Sequence, residues 1–271
     1  MATRPRLRLG LALRLGALAS VQDDGSRYNP IDAYTKVSVE EEREIGAEFD
    51  SKVREHIRLI DDPVVLGVIN DLGQSIVRKI ETQPFIYHFR VIVDPSLNAF
   101  AVPGGYIYLH SGTILGAGSL DELAGVVAHE IGHVKGRHYA RMREKAAIPD
   151  LLAKIAGIAA TVTTGEPAMM AASEGINVAL QLRFSREFET EADDIGSNFM
   201  ARAGYHPEGL ARFFERLLAE SHDIRTQVPP YLYSHPDVEN RIATVMAGLE
   251  TITVTGGTSR QRYRAFRQTQ A

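Results

Sequence analysis

A chain of 271 residues, 44% hydrophobic and 24% charged, has the composition of a globular protein and is long enough to bury a core in one or two domains. A formal net charge of −4 excludes a general affinity for nucleic acid. The absence of cysteine excludes disulfides, thiolate nucleophiles and cysteine-ligated zinc at once.

The N-terminus differs from the rest of the chain. Arg4, Arg6 and Arg8 are followed by an apolar run from Leu9 to Leu18, interrupted by Arg14, and then by small residues at Ala17 and Ala19. This pattern predicts a signal peptide cut after Ala19, within a leader spanning residues 1–26, and therefore export. The competing reading is a basic N-terminus without structure.

Helical spacing of apolar residues runs from Val37 to Ile80, and Asp61-Asp62-Pro63 divides it into two helices with Pro63 in a first turn. Phe85 to Val93 is rich in aromatic and β-branched residues and reads as a strand. Asn98–Val102, the turn Pro103-Gly104-Gly105 and Tyr106–Leu109 read as a hairpin that ends just before the next helix. That helix opens on a capping box, Ser119 with Glu122, and is expected to continue to about Arg143. Further helices are expected over Ala147–Val162, Met170–Arg183, Arg186–Ala203, Pro207–Glu220 and Val238–Leu249, with a loop over Tyr231–Pro236. Leu151 to Thr164 is shorter than the ~20 residues of a spanning helix and carries Lys154. Residues 151–182 are read as a buried helical hairpin, with contact to a membrane surface as the alternative. The pattern is α+β and mostly helical, with one catalytic domain over residues 27–252 and a loose, basic, polar tail over 253–271.

The segment His129-Glu130-Ile131-Gly132-His133 carries the chemistry. Two histidines four apart on a helix lie one above the other, so both imidazoles can reach a single ion, and zinc accepts such ligands. Glu130, on an adjacent flank, can take the proton of a water that the ion has acidified toward a pKa of ~7. With histidine at 9 of 271 residues, this pattern arises by chance about 0.02 times in such a chain, so it is treated as a signal. The apolar run Leu123 to Ala128 argues that the helix is buried. One zinc ion per chain is expected.

A catalytic zinc needs a third protein ligand. The spacing that would supply a third histidine ends on Tyr139 instead. His138 is one residue early, would point away on a continued helix, and is read as a polar residue at the helix end. Three glutamates remain: Glu187, Glu189 and Glu191. Glu189 and Asp193 share a helical face, so Glu189 can bind the metal while Asp193 holds a ligand histidine through its other N–H. Spacing alone does not choose among the three.

These segments, with Ser185-Arg186, Asn98-Ala99-Phe100-Ala101, Pro103-Gly104-Gly105, Glu122-Leu123-Ala124 and Ser234-His235-Pro236 before Arg241, resemble the HtpX-like and CAAX-prenyl-protease branch of the gluzincins. The resemblance covers roughly Glu40 to Leu249 and looks strongest toward the soluble, periplasmic BepA-like members. It implies a zincin-type fold with the motif helix packed near a small β-sheet, Glu189 as third ligand, and Asp193 as the aspartate behind it. The departures are that no tetratricopeptide region follows the catalytic part and that no set of transmembrane helices is present.

The resemblance further implies an edge strand that binds extended substrate, with Asn98, Ala99, Phe100 and Ala101 as candidates. His235 is a candidate either for stabilising the oxyanion or for blocking the metal in a resting state. Arg186 and Arg241 are read as ion-pair partners of nearby acids. His56, His88, His110, His206 and His222 stand alone in the sequence and are read as structural. The leading functional expectation is an exported, periplasmic zinc endopeptidase acting on misfolded or unassembled envelope proteins, with possible outer-membrane assembly or membrane-surface association. A polypeptide-binding chaperone with little proteolysis is the runner-up. A membrane-embedded prenyl-protein protease is disfavoured by the missing spans.

Overall fold

The computed structural model describes residues 35–145, 184–221, 228–255 and 260–270. The leader over 1–26, the helices expected over 147–162 and 170–183, the membrane question over 151–182 and His222 lie outside the described residues.

Two helices frame the sheet. α1 (Val39–His56) starts at Ser38, whose hydroxyl accepts from the Glu41 N–H. Glu40, Glu41 and Glu42 sit in its first turn and Arg54 and His56 in its last, in accord with the helix dipole. α2 (Pro63–Val77) is capped by Asp62, which accepts from the N–H groups of Val64 and Val65, with Pro63 where a missing N–H costs nothing. Ile69, Leu72 and Ile76 face the core at helical spacing.

The sheet has the order β1-β3-β2, from β1 (His88–Ile92), β2 (Ala99–Val102) and β3 (Tyr106–His110). β1 runs parallel to β3, and β2 pairs with it antiparallel, Ala101 opposite Ile107. β2 is thus an edge strand among the described residues. A further short helix, α3 (Ser111–Gly116), follows the sheet, so the hairpin does not run directly into the motif helix as expected.

The motif helix, α4 (Leu120–Lys135), forms the centre of the molecule, with every residue from Glu122 to Val134 buried. Ser119 caps it by accepting from the Glu122 N–H. The Glu122 carboxylate accepts from the Gly118 N–H. α6 (Arg186–Arg202) crosses α4 at glycines on both helices. A Cβ on Gly132 would stand 2.5 Å from the Ala192 carbonyl oxygen, and one on Gly196 2.8 Å from the Ala128 carbonyl carbon. Only glycine allows the two backbones this close, and the approach delivers Glu189 and Asp193 to the motif histidines.

The expected continuation of α4 to Arg143 does not occur. The helix stops at Lys135, Arg137 takes a left-handed φ of 50°, and α5 (His138–Lys145) restarts in a new direction. Arg137 holds this turn through Glu42 Oε2 of α1 at 2.7 Å and the carbonyl of Val37, just before that helix, at 2.7 Å, both distant in sequence. Apolar periodicity carries no mark of such a tie.

Two more expectations are corrected toward the C-terminus. After α7 (Glu208–Ser221), the segment expected to be a loop over 231–236 contains a one-turn helix, α8 (Tyr231–Ser234), whose Tyr231 is buried. After α9 (Val238–Gly248), the tail expected over 253–271 contains α10 (Arg260–Thr269). Phe266 of α10 is fully buried, and Gln270 donates to the carbonyls of Ile114 and Ala117. One apolar anchor among arginines leaves no period to read in the sequence. No described helix is long and apolar enough to cross a membrane.

Candidate metal centre

His129, His133, Glu189 and His235 converge, fully buried, with one donor atom from each within 4.8 Å of the others. His129 and His133 present Nε2 atoms 2.9 Å apart from successive turns of α4. Glu189 comes from α6, with Oε2 3.5 Å from His129 Nε2 and Oε1 3.4 Å from His133 Nε2. His235, just after α8, brings Nδ1 to 3.2 Å from His129 Nε2 and 3.2 Å from both Glu189 oxygens. Ligand atoms around a tetrahedral zinc, at about 2.0–2.1 Å each, are about 3.4 Å apart, so this donor set fits the ion.

The Glu130 carboxylate points at the same place. Both of its oxygens are buried without a hydrogen-bond partner, and Oε1 is 3.6 Å from His235 Nε2. A buried carboxylate without a partner is costly unless the site supplies one, and a water held by a metal is such a partner. Burial pushes the Glu130 carboxyl up, against the opposing charges of His235 and His129. Burial also acts to raise Glu189, but the charges of His235 and Arg241 with a hydrogen bond from His133 outweigh it and hold Glu189 well below the usual carboxylate range. Burial and the neighbouring His129 press the His133 imidazole well below its ordinary value, the neutral state a metal ligand requires.

Behind the donors stands a ring of supports. His129 Nδ1 lies 2.8 Å from Asp193 Oδ1, and Arg241 grips the same carboxylate with Nε and Nη2, both at 2.7 Å. Arg241 also reaches Glu189 Oε2 at 2.6 Å and lies over the Phe214 ring. A buried guanidinium between two carboxylates offsets part of their charge. Phe184 stacks on His133, ring centroids 4.0 Å apart, and Tyr231 stacks on His235 at 4.2 Å.

Of the three competing glutamates, Glu189 enters the donor group. Glu187 is exposed and lines an outer groove. Glu191 turns to Arg141, whose Nη1 donates to both of its oxygens at 2.8 Å. Burial raises Glu191, but His138 and Arg141 outweigh it and hold its carboxyl at about 2. His138 is not the polar helix-end residue expected. It is fully buried, with Nδ1 2.8 Å from His133 Nδ1, because the turn at Arg137 folds it back over the motif. Arg186 is exposed and 3.4 Å from Asp237, on the outside. His56, His88, His110 and His206 take no part in the donor group found among the described residues. Sequence reasoning missed Tyr231 and Phe184; their only signal was aromatic character next to segments that carried the motif resemblance.

Comparison with known proteins agrees with this geometry. The model of peptidase family M48 matches residues 67–248. The chain belongs to peptidase family M48. The beta-barrel assembly-enhancing protease of Escherichia coli K12 is 30% identical over 240 residues, which are 86% of this chain and 49% of that protein. A Vibrio cholerae protein that bears the same name in provisional form is 36% identical over 216 residues, 78% of this chain and 44% of its own. The mitochondrial metalloendopeptidase OMA1 of Schizosaccharomyces pombe is 32% identical over 161 residues, 59% of this chain and 45% of its own. This M48 chain therefore spans about half the length of the curated relatives it matches. The family is one of peptidases, and the OMA1 relative is named a metalloendopeptidase.

Proposed function

We propose that this M48 chain is a zinc-dependent endopeptidase that hydrolyses peptide bonds in misfolded or unassembled envelope proteins. The observation that carries the chemistry is the convergence of His129, His133 and Glu189 on one point beside the unpartnered Glu130 carboxylate. The names of the bacterial relatives refer to beta-barrel assembly; the misfolded-protein substrate, the periplasmic location and the association with outer-membrane assembly extend that and are part of the proposal.

His129, His133 and Glu189 would hold the metal. Bound zinc supplies Lewis acidity, which polarises the scissile carbonyl and acidifies water. Glu130 takes the water proton as the oxygen attacks the carbonyl carbon, and returns it to the amide nitrogen as the C–N bond breaks. Asp193 orients His129, and Arg241 keeps both Asp193 and Glu189 in place.

The substrate backbone is read as pairing with the β2 edge over Asn98, Ala99, Phe100 and Ala101. His110 N–H bonds the Asn98 carbonyl, so by antiparallel alternation Ala99 and Ala101 turn their backbone groups away from β3 to the open edge. Ala101 and His133 line one small cavity, which brings this edge to the metal ligands. Such pairing recognises backbone more than sequence, as a quality-control protease requires.

The second reading, a polypeptide-binding chaperone with little proteolysis, is favoured by His235, whose Nδ1 stands among the donor atoms where an open position is needed for catalysis. Casein digestion separates the two. Wild type should cleave, while Glu130→Gln and chelator-treated protein should lose about 10²–10⁴-fold in rate, with zinc content unchanged in Glu130→Gln. If all three behave alike while aggregation is still suppressed, the chaperone reading takes its place.

A further inference from the structure

We propose that His138 is a positioning residue for the metal ligand His133, through a relay Glu191–His138–His133 that opens at the break between α4 and α5. This rests on the metallopeptidase reading and deepens it. An imidazole that gives its Nε2 lone pair to a metal must carry its hydrogen on Nδ1. His133 Nε2 faces the donor group, so His133 Nδ1–H donates to His138 Nδ1, 2.8 Å away. The reverse direction would put the His133 hydrogen on Nε2 and remove it as a ligand. His138 is then left with its hydrogen on Nε2, which lies 3.4 Å from Glu191 Oε2, an ion-pair distance without the alignment of a hydrogen bond. Arg141 anchors that carboxylate at 2.8 Å.

The local fold is arranged around this contact. The left-handed φ of Arg137 turns the chain so that residue 138 faces residue 133, which a continuous helix would not do. Gly136 leaves room for the ring: a Cβ there would stand 2.3 Å from His138 Nε2. Phe188 stacks on His138, with centroids 4.6 Å apart and planes within 14°, and fixes its plane. The two motif histidines are therefore held differently, His129 by a carboxylate directly and His133 by an imidazole with a carboxylate behind it.

The test is zinc affinity of the full chain, measured by competition with a chelating dye, beside thermal unfolding of the zinc-free proteins. His138→Phe keeps a ring against Phe188 but accepts no hydrogen bond; zinc affinity should fall about 10–100-fold with zinc-free unfolding unchanged. His138→Asn puts an oxygen where Nδ1 stood and should recover most of that loss. Glu191→Gln, on a half-buried side chain, keeps an acceptor without the charge and should lower affinity severalfold; it serves as the readout should His138→Phe fail to fold. Wild-type affinity in His138→Phe, or in Glu191→Gln, overturns the relay while leaving the metallopeptidase reading intact. A wild-type protein that binds no zinc overturns both.

Discussion

His129, His133 and Glu189 hold donor atoms at mutual distances of 2.9 to 3.5 Å, all on buried side chains. At this scale the decisive matter is what each imidazole's second nitrogen meets, because that contact sets the tautomer. His235 differs from His133: burial lowers its basicity, but Glu189 and Glu130 outweigh that and raise it. Its Nδ1 sits among the donors, and of the two roles proposed for it this position favours blocking the metal at rest. His235→Ala should therefore raise casein cleavage severalfold. A fall would assign it to the oxyanion instead, and an unchanged rate would remove it from the site. The pair His129 and His133 was readable from spacing alone. His138 was not, since its position depends on a turn held by Glu42, far away in sequence.

At the scale of elements, the crossing of α4 and α6 makes the site. Glycines at 132 and 196 let backbones touch, and the acids of α6 land opposite the histidines of α4. The β2 edge is the second such element. Because the Ala101 N–H faces the open edge rather than β3, Ala101→Pro should leave the sheet and zinc content intact while cutting peptide cleavage about tenfold or more, the expected result of losing an edge donor. Normal cleavage in a folded, zinc-loaded variant would rule out this edge as the substrate strand. The strands and most helices followed from their periods. The one-turn helix at Tyr231 and the helix at Arg260 did not, because each buries one aromatic ring rather than a repeating apolar face.

At the scale of the whole molecule, the donor group joins three segments that are far apart in the chain: α4, α6 and the residues after α8. A metal binding them together stabilises only the folded state, so its removal should lower the melting temperature, in proportion to the logarithm of its affinity. A chelator should shift wild type downward and leave Glu189→Ala unmoved, since that variant should contain little zinc. Full zinc occupancy in Glu189→Ala would take Glu189 out of the ligand set.

The motif His129-Glu130-Ile131-Gly132-His133 predicts a metal-binding helix unaided, because helical geometry alone sets two imidazoles on one face with a carboxylate on the adjacent flank. The mostly helical α+β pattern is also local, since the helices follow from a period of apolar residues and the strands from aromatic and β-branched runs around a turn. The choice of Glu189 over Glu187 and Glu191 needed either a family resemblance or the α4–α6 crossing. The roles of His138, Arg241 and His235 rest on distances across elements that no spacing rule reaches. Their side chains meet only when distant backbones pack, and packing is decided by the whole fold.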